Sequence, residues 1–225
     1  MNQVKTQSNA GFTMVELLVA MVIAGIITAI MYTAFEGQVR GQIAQDVSLK
    51  MNQSTRAAMD IMVSDIRMVG CDPTENANAG IITMDPNELR MTMDIGDGAN
   101  GPPDGDINDP GEDVRYVIAN GDLCRDIGGN TPDPQPLAFD CDALDFVYLD
   151  EDGAETTDPD DVNEIQVSIV VRSADTKNPG LLRNYTDNTT YRNMNGNPGE
   201  IIFIAPGDNF RRFHLNASAD CRNLL

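Results

Sequence analysis

The longest apolar run in this chain lies near its start and contains no charged side chain. It covers the 19 residues from Leu17 to Phe35 and directly follows a single acid, Glu16. At about 1.5 Å per residue, a helix of this length extends about 28 Å, close to the ~30 Å hydrocarbon core of a bilayer. The run predicts one transmembrane helix, at about residues 15–35.

A second apolar pattern continues beyond Phe35. Apolar residues recur there mostly every three or four positions, as on one face of an α-helix; they are Val39, Ile43, Val47, Met51, Ala58, Met59, Met62, Ile66 and Val69. Gly70 and Pro73 then provide a stop signal. We therefore expect one helix over residues 12–70, with a transmembrane half and an amphipathic half.

The remaining residues, 71–225, have the pattern of β-strands separated by turns. Alternation is clearest from Glu164 to Arg172, where Ile165, Val167, Ile169 and Val171 share one face. The other candidate strands are Leu89–Met93, Val114–Ala119, Leu144–Leu149, Glu200–Ile204 and Phe210–Ala217. Gly, Pro, Asn and Asp clusters between them favour hairpins. The predicted fold class is α+β, a long helix packed on an antiparallel sheet domain.

Two ordinary explanations of the N-terminal run fit poorly. A secretory signal peptide has an apolar region of about 7 to 15 residues closed by a small-residue cleavage site, whereas this run is longer and no A-x-A pattern closes it. A simple membrane anchor leaves Glu16 unexplained, because a carboxylate in a membrane helix costs about 2.5 to 3.5 kcal/mol, less near the interface. The position of Glu16 therefore suggests that its carboxylate has a binding partner.

Charge is distributed unevenly along the chain. Residues 1–70 carry five acids and five basic side chains, so the net charge of −20 arises from residues 71–225. Such an acidic surface argues against nucleic acid as a partner, because binding to phosphate requires basic contacts. It also repels anionic lipid headgroups, which leaves the N-terminal helix as the expected membrane contact.

The residues Gly11-Phe12-Thr13-Met14-Val15-Glu16, followed by an apolar helix, resemble the processing site of type IV prepilins and type II secretion pseudopilins. The resemblance implies a leader peptide over residues 1–11, cleavage by prepilin peptidase between Gly11 and Phe12, and N-methylation of Phe12. It also implies that Glu16 pairs with the Phe12 amine of a neighbouring subunit during assembly. The fold implied is the pilin fold.

The stretch from Arg56 to Pro73 resembles the helix end of PilW-type minor pilins, relatives of the J-type pseudopilin of type II secretion. The implied function is that of a minor pilin, a non-enzymatic protein that takes part in initiation of pilus assembly and is incorporated at or near the pilus tip. The implied partners are prepilin peptidase, other minor pilins, the major pilin and the inner-membrane assembly platform. A J-type pseudopilin and a pilus-delivered adhesin are the alternatives.

That resemblance also implies a location for the chain. The protein would be a single-pass inner-membrane protein with a periplasmic head over residues 71–225, later part of a cell-surface filament. The four cysteines, Cys71, Cys124, Cys141 and Cys221, then lie in an oxidising compartment, which favours two disulfides. Three connectivities are open, and we favour Cys124 with Cys141 and Cys71 with Cys221.

One acidic loop resembles the start of a calcium-binding loop. Asp104, Asp106, Asn108 and Asp109 offer oxygen ligands, mostly at alternate positions. An EF-hand loop would next need glycine at the sixth place and glutamate at the twelfth, where this chain has Asp109 and Arg115. The loop is therefore not an EF-hand, and it is either a calcium site of another geometry or a solvated acidic surface. No other cofactor is indicated.

Catalytic signals are sparse. His214 is the only histidine and lies in a candidate strand, which favours a structural or surface role. The sequence contains no nucleophile motif, phosphate-binding glycine loop or C-x-x-C metal spacing. The sequence therefore favours a non-enzymatic protein.

Overall fold

The computed structural model describes residues 11–96, 101–127, 133–173, 185–196 and 198–224. One long helix, α1 (Met14–Ile66), is followed by ten strands. These are β1 (Ile81–Asp85), β2 (Glu88–Thr92), β3 (Asp113–Ala119), β4 (Asp122–Asp126), β5 (Gln135–Ala138), β6 (Cys141–Leu149), β7 (Glu164–Arg172), β8 (Thr190–Gly196), β9 (Gly199–Ile204) and β10 (Arg212–Asp220). The chain divides into two compact units, Met1–Gln45 and Asp46–Leu225.

The first unit contains the apolar N-terminal part of α1. The helix includes an 18-residue window with a mean hydropathy of 2.5, none of it buried inside the structure. By length and composition, α1 can cross a membrane. Its large apolar side chains are exposed from Met14 to Phe35.

The described residues of the second unit form three antiparallel sheets. The first has the order β1-β2-β3-β4-β5, the second β10-β7-β6, and β8 and β9 form a separate hairpin. The predicted antiparallel arrangement is confirmed, and each of the six predicted strands corresponds to an observed one. The strands β1, β4, β5 and β8 were not predicted.

One hydrophobic core joins the end of α1 to the first two sheets. The buried residues of α1 are Met51, Thr55, Ala58, Met59, Met62 and Ile66. They share a core with β2 and β3 through Leu89, Met91 and Tyr116, and with β7 through its predicted inward face. The side chain of Asp65 adds polar contacts to this junction, because it accepts hydrogen bonds from Tyr116 Oη (2.6 Å) and Arg125 Nε (2.7 Å).

Helix α1 is shorter at both ends than the sequence predicts. It begins at Met14 rather than at residue 12, because Thr13 caps it. It ends at Ile66, where the Met68 and Val69 amides bond three residues back rather than four and Gly70 follows with φ +73°. A Cβ on Gly70 would lie 2.9 Å from the carbonyl oxygen of Asn223, so Asn223 packs against this turn.

The outward face of β7 is also covered. Val170 forms a second small core with Ala143, Tyr191 and Ala205, beneath the β8–β9 hairpin. Asn193 Nδ2 donates to Asp145 Oδ2 (3.0 Å) and fixes the hairpin to β6. Periodicity alone predicts a polar outer face for β7, whereas the hairpin makes β7 a strand buried on both faces.

Candidate processing and assembly site

Gly11 lies outside the helix in an open environment. It is exposed, and a Cβ added to it would meet no atom within 4 Å. Packing within the described chain therefore does not require glycine at this position. An external partner, such as the active site of a protease, would be a sufficient reason for a small residue here.

The apolar side chain of Phe12 is exposed to solvent. It is 90% exposed and lies two residues before α1 begins. The peptide bond between Gly11 and Phe12 is therefore in accessible chain outside the helix. Proteases need such a segment, because a helical backbone does not fit an extended binding cleft.

Thr13 and Glu16 form a reciprocal capping box at the start of α1. The Thr13 hydroxyl accepts a hydrogen bond from the Glu16 amide (3.3 Å). The Glu16 carboxylate accepts hydrogen bonds from the Thr13 amide (2.9 Å) and the Thr13 hydroxyl (2.9 Å). This arrangement satisfies amides that the first helical turn leaves unpaired. The T-x-x-E spacing that encodes the box is present in the sequence, although the predicted site did not include Thr13.

Glu16 remains exposed despite these contacts and makes no ion pair with a described residue. It is the only acid in the first turn of α1, where the positive end of the helix dipole favours a carboxylate. The site therefore holds an accessible negative charge four residues from the predicted new N-terminus. Such a charge can accept a second, external cation.

The four cysteines are free thiols in this structure. Burial raises the pKa of Cys141, at the start of β6, to about 12, and the nearby Asp142, Asp122 and Cys124 raise it further. Burial likewise raises the pKa of Cys221 to about 12. Cys71 packs against the core that contains Cys221. Neither favoured disulfide is formed here, and both pairings stay predictions.

The predicted calcium ligands are engaged in local turns. Asp104 Oδ1 accepts from the Asp106 amide (3.1 Å), and Asp106 Oδ1 accepts from the Asn108 amide (2.8 Å). The Asp109 amide donates to Glu112 Oε2 (3.1 Å). Over the part of the chain that the structure describes, no group of three or more His, Cys, Asp or Glu side chains could hold a metal ion. The calcium site stays a prediction.

Two buried acids organise that loop and were not singled out from the sequence. Glu112 is fully buried, and its Oε1 accepts the amides of Ile95 and Gly96, both at 2.9 Å. Asp94 is also fully buried and accepts from Thr74 Oγ1 (3.2 Å) and the Gly105 amide (3.1 Å). The sequence does not distinguish these two acids from the many solvent-exposed acids around them, because they differ only in burial, which the sequence does not show.

His214 lies on β10 in a structural setting. Its ring packs edge-on against Tyr191, with 5.7 Å between the ring centroids. Burial lowers its pKa.

Residues 6–32 match a family model described as the prokaryotic N-terminal methylation motif. A type IV-like pilin from Thermus thermophilus has a similar solved structure, with a TM-score of 0.54 and 14% sequence identity over 78% of this chain and 98% of that one. No curated protein matches this chain significantly. The chain thus combines a prokaryotic N-terminal methylation motif with the fold of a type IV-like pilin.

Proposed function

We propose that this chain is a minor pilin of a type IV pilus that is matured at its N-terminus and takes part in initiating pilus assembly at or near the tip. The observation that carries the proposal is the position of the methylation motif. It covers residues 6–32 and so includes the start of a helix whose apolar window is unburied. An apolar surface of this length requires a membrane or the core of an assembly around it.

Maturation consists of cleavage between Gly11 and Phe12 by a prepilin peptidase, with methylation of Phe12. The accessible, non-helical segment before Met14 supports this step. The apolar part of α1 holds the cleavage site at the membrane surface. After cleavage, Phe12 carries a positively charged amine directly beside the Thr13–Glu16 capping box.

Glu16 then acts in assembly by pairing with the Phe12 amine of a neighbouring subunit. A carboxylate that enters an apolar assembly without a partner costs several kcal/mol (about 2.5 to 3.5 in a membrane helix), and a neighbour's amine offsets that cost. We expect Glu16→Ala to be processed and inserted but to fail to enter filaments. Glu36→Ala is the matched control, because Glu36 on the same helix pairs with Arg40 (3.2 Å).

The partners proposed are prepilin peptidase, other minor pilins, the major pilin and the inner-membrane assembly platform. The head, residues 71–225, would face the periplasm before the subunit reaches the surface. The resemblance of residues 56–73 to PilW-type minor pilins supports a minor rather than a major subunit. A deletion that abolishes piliation supports the pilus role, whereas lost enzyme secretion with intact pili would assign the chain to type II secretion.

Mass spectrometry of sheared surface filaments tests the proposal. Trypsin should release a peptide spanning residues 12–40, with a methyl group on the Phe12 nitrogen. Gly11→Val should leave the leader attached, while Gly25→Val, a control inside the helix, should still be processed. Filaments that contain the unprocessed chain, or that lack the chain altogether, would overturn the proposal.

A further inference from the structure

Strand β10 forms an edge of its sheet that is long and regular. It lies at the end of the order β10-β7-β6. Its register with β7 is unbroken from Arg212, opposite Arg172, to Asp220, opposite Glu164. Natural proteins usually shorten, bend or block such edges, because unpaired backbone groups recruit other strands.

The backbone of β10 faces outward at alternate residues. The Ser173 amide donates to the Arg211 carbonyl (2.7 Å), and the Cys221 amide donates to the Asn163 carbonyl (2.8 Å), so the odd-numbered residues bond towards β7. In an antiparallel pair the intervening residues point the other way. Among the described residues, none bonds to the outward amides of His214, Asn216 and Ser218.

Other edges of the two larger sheets carry features that block pairing. Strand β5 has four residues, one of them Pro136, and its register with β4 shifts. Strand β1 is short and irregular. The outer side of β6 is already used, because the Phe146 amide donates to the Pro86 carbonyl (2.6 Å) and the Tyr148 carbonyl accepts from Thr156 (3.0 Å).

Side chains along the β10 edge also lack partners. His214 Nε2 and Asn216 Oδ1 are buried without a hydrogen bond, as is Gln166 Oε1 on the adjacent β7. Buried polar atoms in native proteins are nearly always paired, since an unpaired one costs about 1 to 3 kcal/mol. On the opposite face of β10, Phe213 and Leu215 are only partly buried against the core. The face that carries Phe213 and Leu215 therefore has room for further contacts, and the other face holds polar atoms that lack a partner within the described chain.

Two acidic side chains at one end of the edge favour a basic side chain in any strand that pairs there. Asp220 lies directly opposite Glu164, and neither forms an ion pair with a described residue. Like charges facing each other across a ladder are destabilising. A Lys or Arg beside Asp220 would neutralise this pair.

We infer that β10 binds an extended segment of a different protein chain, which adds to the sheet as an antiparallel strand, the arrangement of the other pairs of this sheet. The segment alternates polar side chains, next to His214 and Asn216, with apolar ones next to Phe213 and Leu215. It carries a Lys or Arg next to Asp220. This is β-strand addition, in which main-chain hydrogen bonds provide affinity and alternate side chains provide specificity.

A second copy of this chain does not fit as the occupant. Antiparallel pairing of β10 with itself requires a two-fold axis perpendicular to the sheet. Residues 46–66 of α1 pack as a layer on that sheet, so the axis would reverse the direction of the helix. Two copies anchored in one membrane have helices of the same direction. This exclusion rests on the membrane anchoring in the proposed function, whereas the open edge does not.

Site-specific photocrosslinking in the native host tests the inference with the full-length chain. A benzophenone amino acid at Ser218, on the open edge of β10, should give an adduct with a different protein. The crosslinked peptide should have the alternating pattern and a basic residue. The same probe at Ile82, exposed on the blocked edge of β1, should give none. No adduct at Ser218, a homodimer, or a crosslink to residues 174–184 of the same chain would overturn the inference while leaving the filament role intact.

A backbone variant provides the second readout. Asn216→Pro removes an outward amide but no hydrogen bond to β7, so the head should still fold. The yield of the Ser218 adduct should fall about tenfold, because the bound segment loses roughly one hydrogen bond and meets a steric clash. Asn216→Ala retains the amide and should keep most of the adduct. Equal adduct yields from two folded variants, judged by their melting temperatures, would contradict strand addition.

Discussion

The two parts of α1 carry apolar side chains of the same kinds but bury them differently. Met62, in the second unit, is 0% exposed, whereas Met21, in the first, is 66% exposed. Over the part of the chain that the structure describes, the main hydrophobic core lies in the second unit, between Met51 and Cys221. The first unit offers its apolar surface to something outside the chain. One helix thus contributes to the core of the head and also presents an uncovered apolar surface.

The largest expected effect comes from a matched pair of truncations. Met62→Ala should lower the free energy of unfolding of the head by about 2 to 5 kcal/mol, because it removes a fully buried side chain. Met21→Ala should leave the stability of the head unchanged. Thermal denaturation of the full-length chain in detergent measures both. Equal losses would show that the first unit also has a packed interior.

A lysine substitution should have its larger effect in the first unit rather than in the second. Ile23→Lys should reduce membrane retention, because a lysine near the centre of a membrane helix costs about 2.5 to 3.5 kcal/mol. Ile61→Lys should leave retention unchanged, since Ile61 is 39% exposed in the second unit. Cell fractionation compares the two variants. Retention of Ile23→Lys at the normal level would refute membrane anchoring by this segment.

A smaller effect is expected at the start of α1. Thr13→Ala removes the capping hydroxyl and should cost about 1 kcal/mol locally, while Thr13→Ser should retain most of the cap. Hydrogen exchange of the Glu16 and Leu17 amides should accelerate about fivefold in the alanine variant. The melting temperature of the head should not change, because the cap lies in the other unit.

The smallest expected effect concerns one carboxylate of the head. Hydrogen bonds from Arg212 lower the pKa of Asp208 below its ordinary value. A carboxylate with a lowered folded-state pKa stabilises the fold above the unfolded pKa of about 3.9, and that contribution is lost as the pH falls through the folded value. Asp208→Asn should therefore be less stable at pH 6 and should lose less stability on acidification.

Melting temperatures between pH 6 and pH 2 check that difference. Asp160→Asn is the control, because Asp160 makes no ion pair with a described residue. Its pH profile should follow that of the unmodified chain. Parallel profiles for all three proteins would show that the Arg212 contacts contribute nothing to acid sensitivity.

The hydrophobic pattern predicted the parts of the fold that have a strong period. It located α1 and the alternating strand β7, because a long amphipathic helix and a strand with one apolar face both leave periodic traces. It missed β4, although the Asn120-Gly121 pair before it is a sequence signal for a two-residue hairpin turn. In the structure both residues have the positive φ angles that such a turn requires. Strand β4 is short and polar, so its position depends on pairing with β3 rather than on its own pattern.

The candidate site divides in the same way. Gly11, Phe12 and Glu16 were found because they form a local motif before an apolar run. The partner role of Thr13 was encoded locally as well, in the T-x-x-E spacing, but was overlooked. The open edge of β10 could not be predicted, because an edge is a property of strand order. Sequence shows which segments are strands and not which of them lies last in a sheet.

The contacts of Asp65 have a mechanical consequence. A subunit held by its N-terminal helix receives any pulling force through α1, and in the head that force first meets residues 46–66. Asp65 bonds to Tyr116 and Arg125 within one turn of the buried Met62 and Ile66. Extracting this turn must break two charge-assisted hydrogen bonds and expose two core side chains in the same step. The head should therefore resist tension up to one cooperative rupture rather than yield gradually.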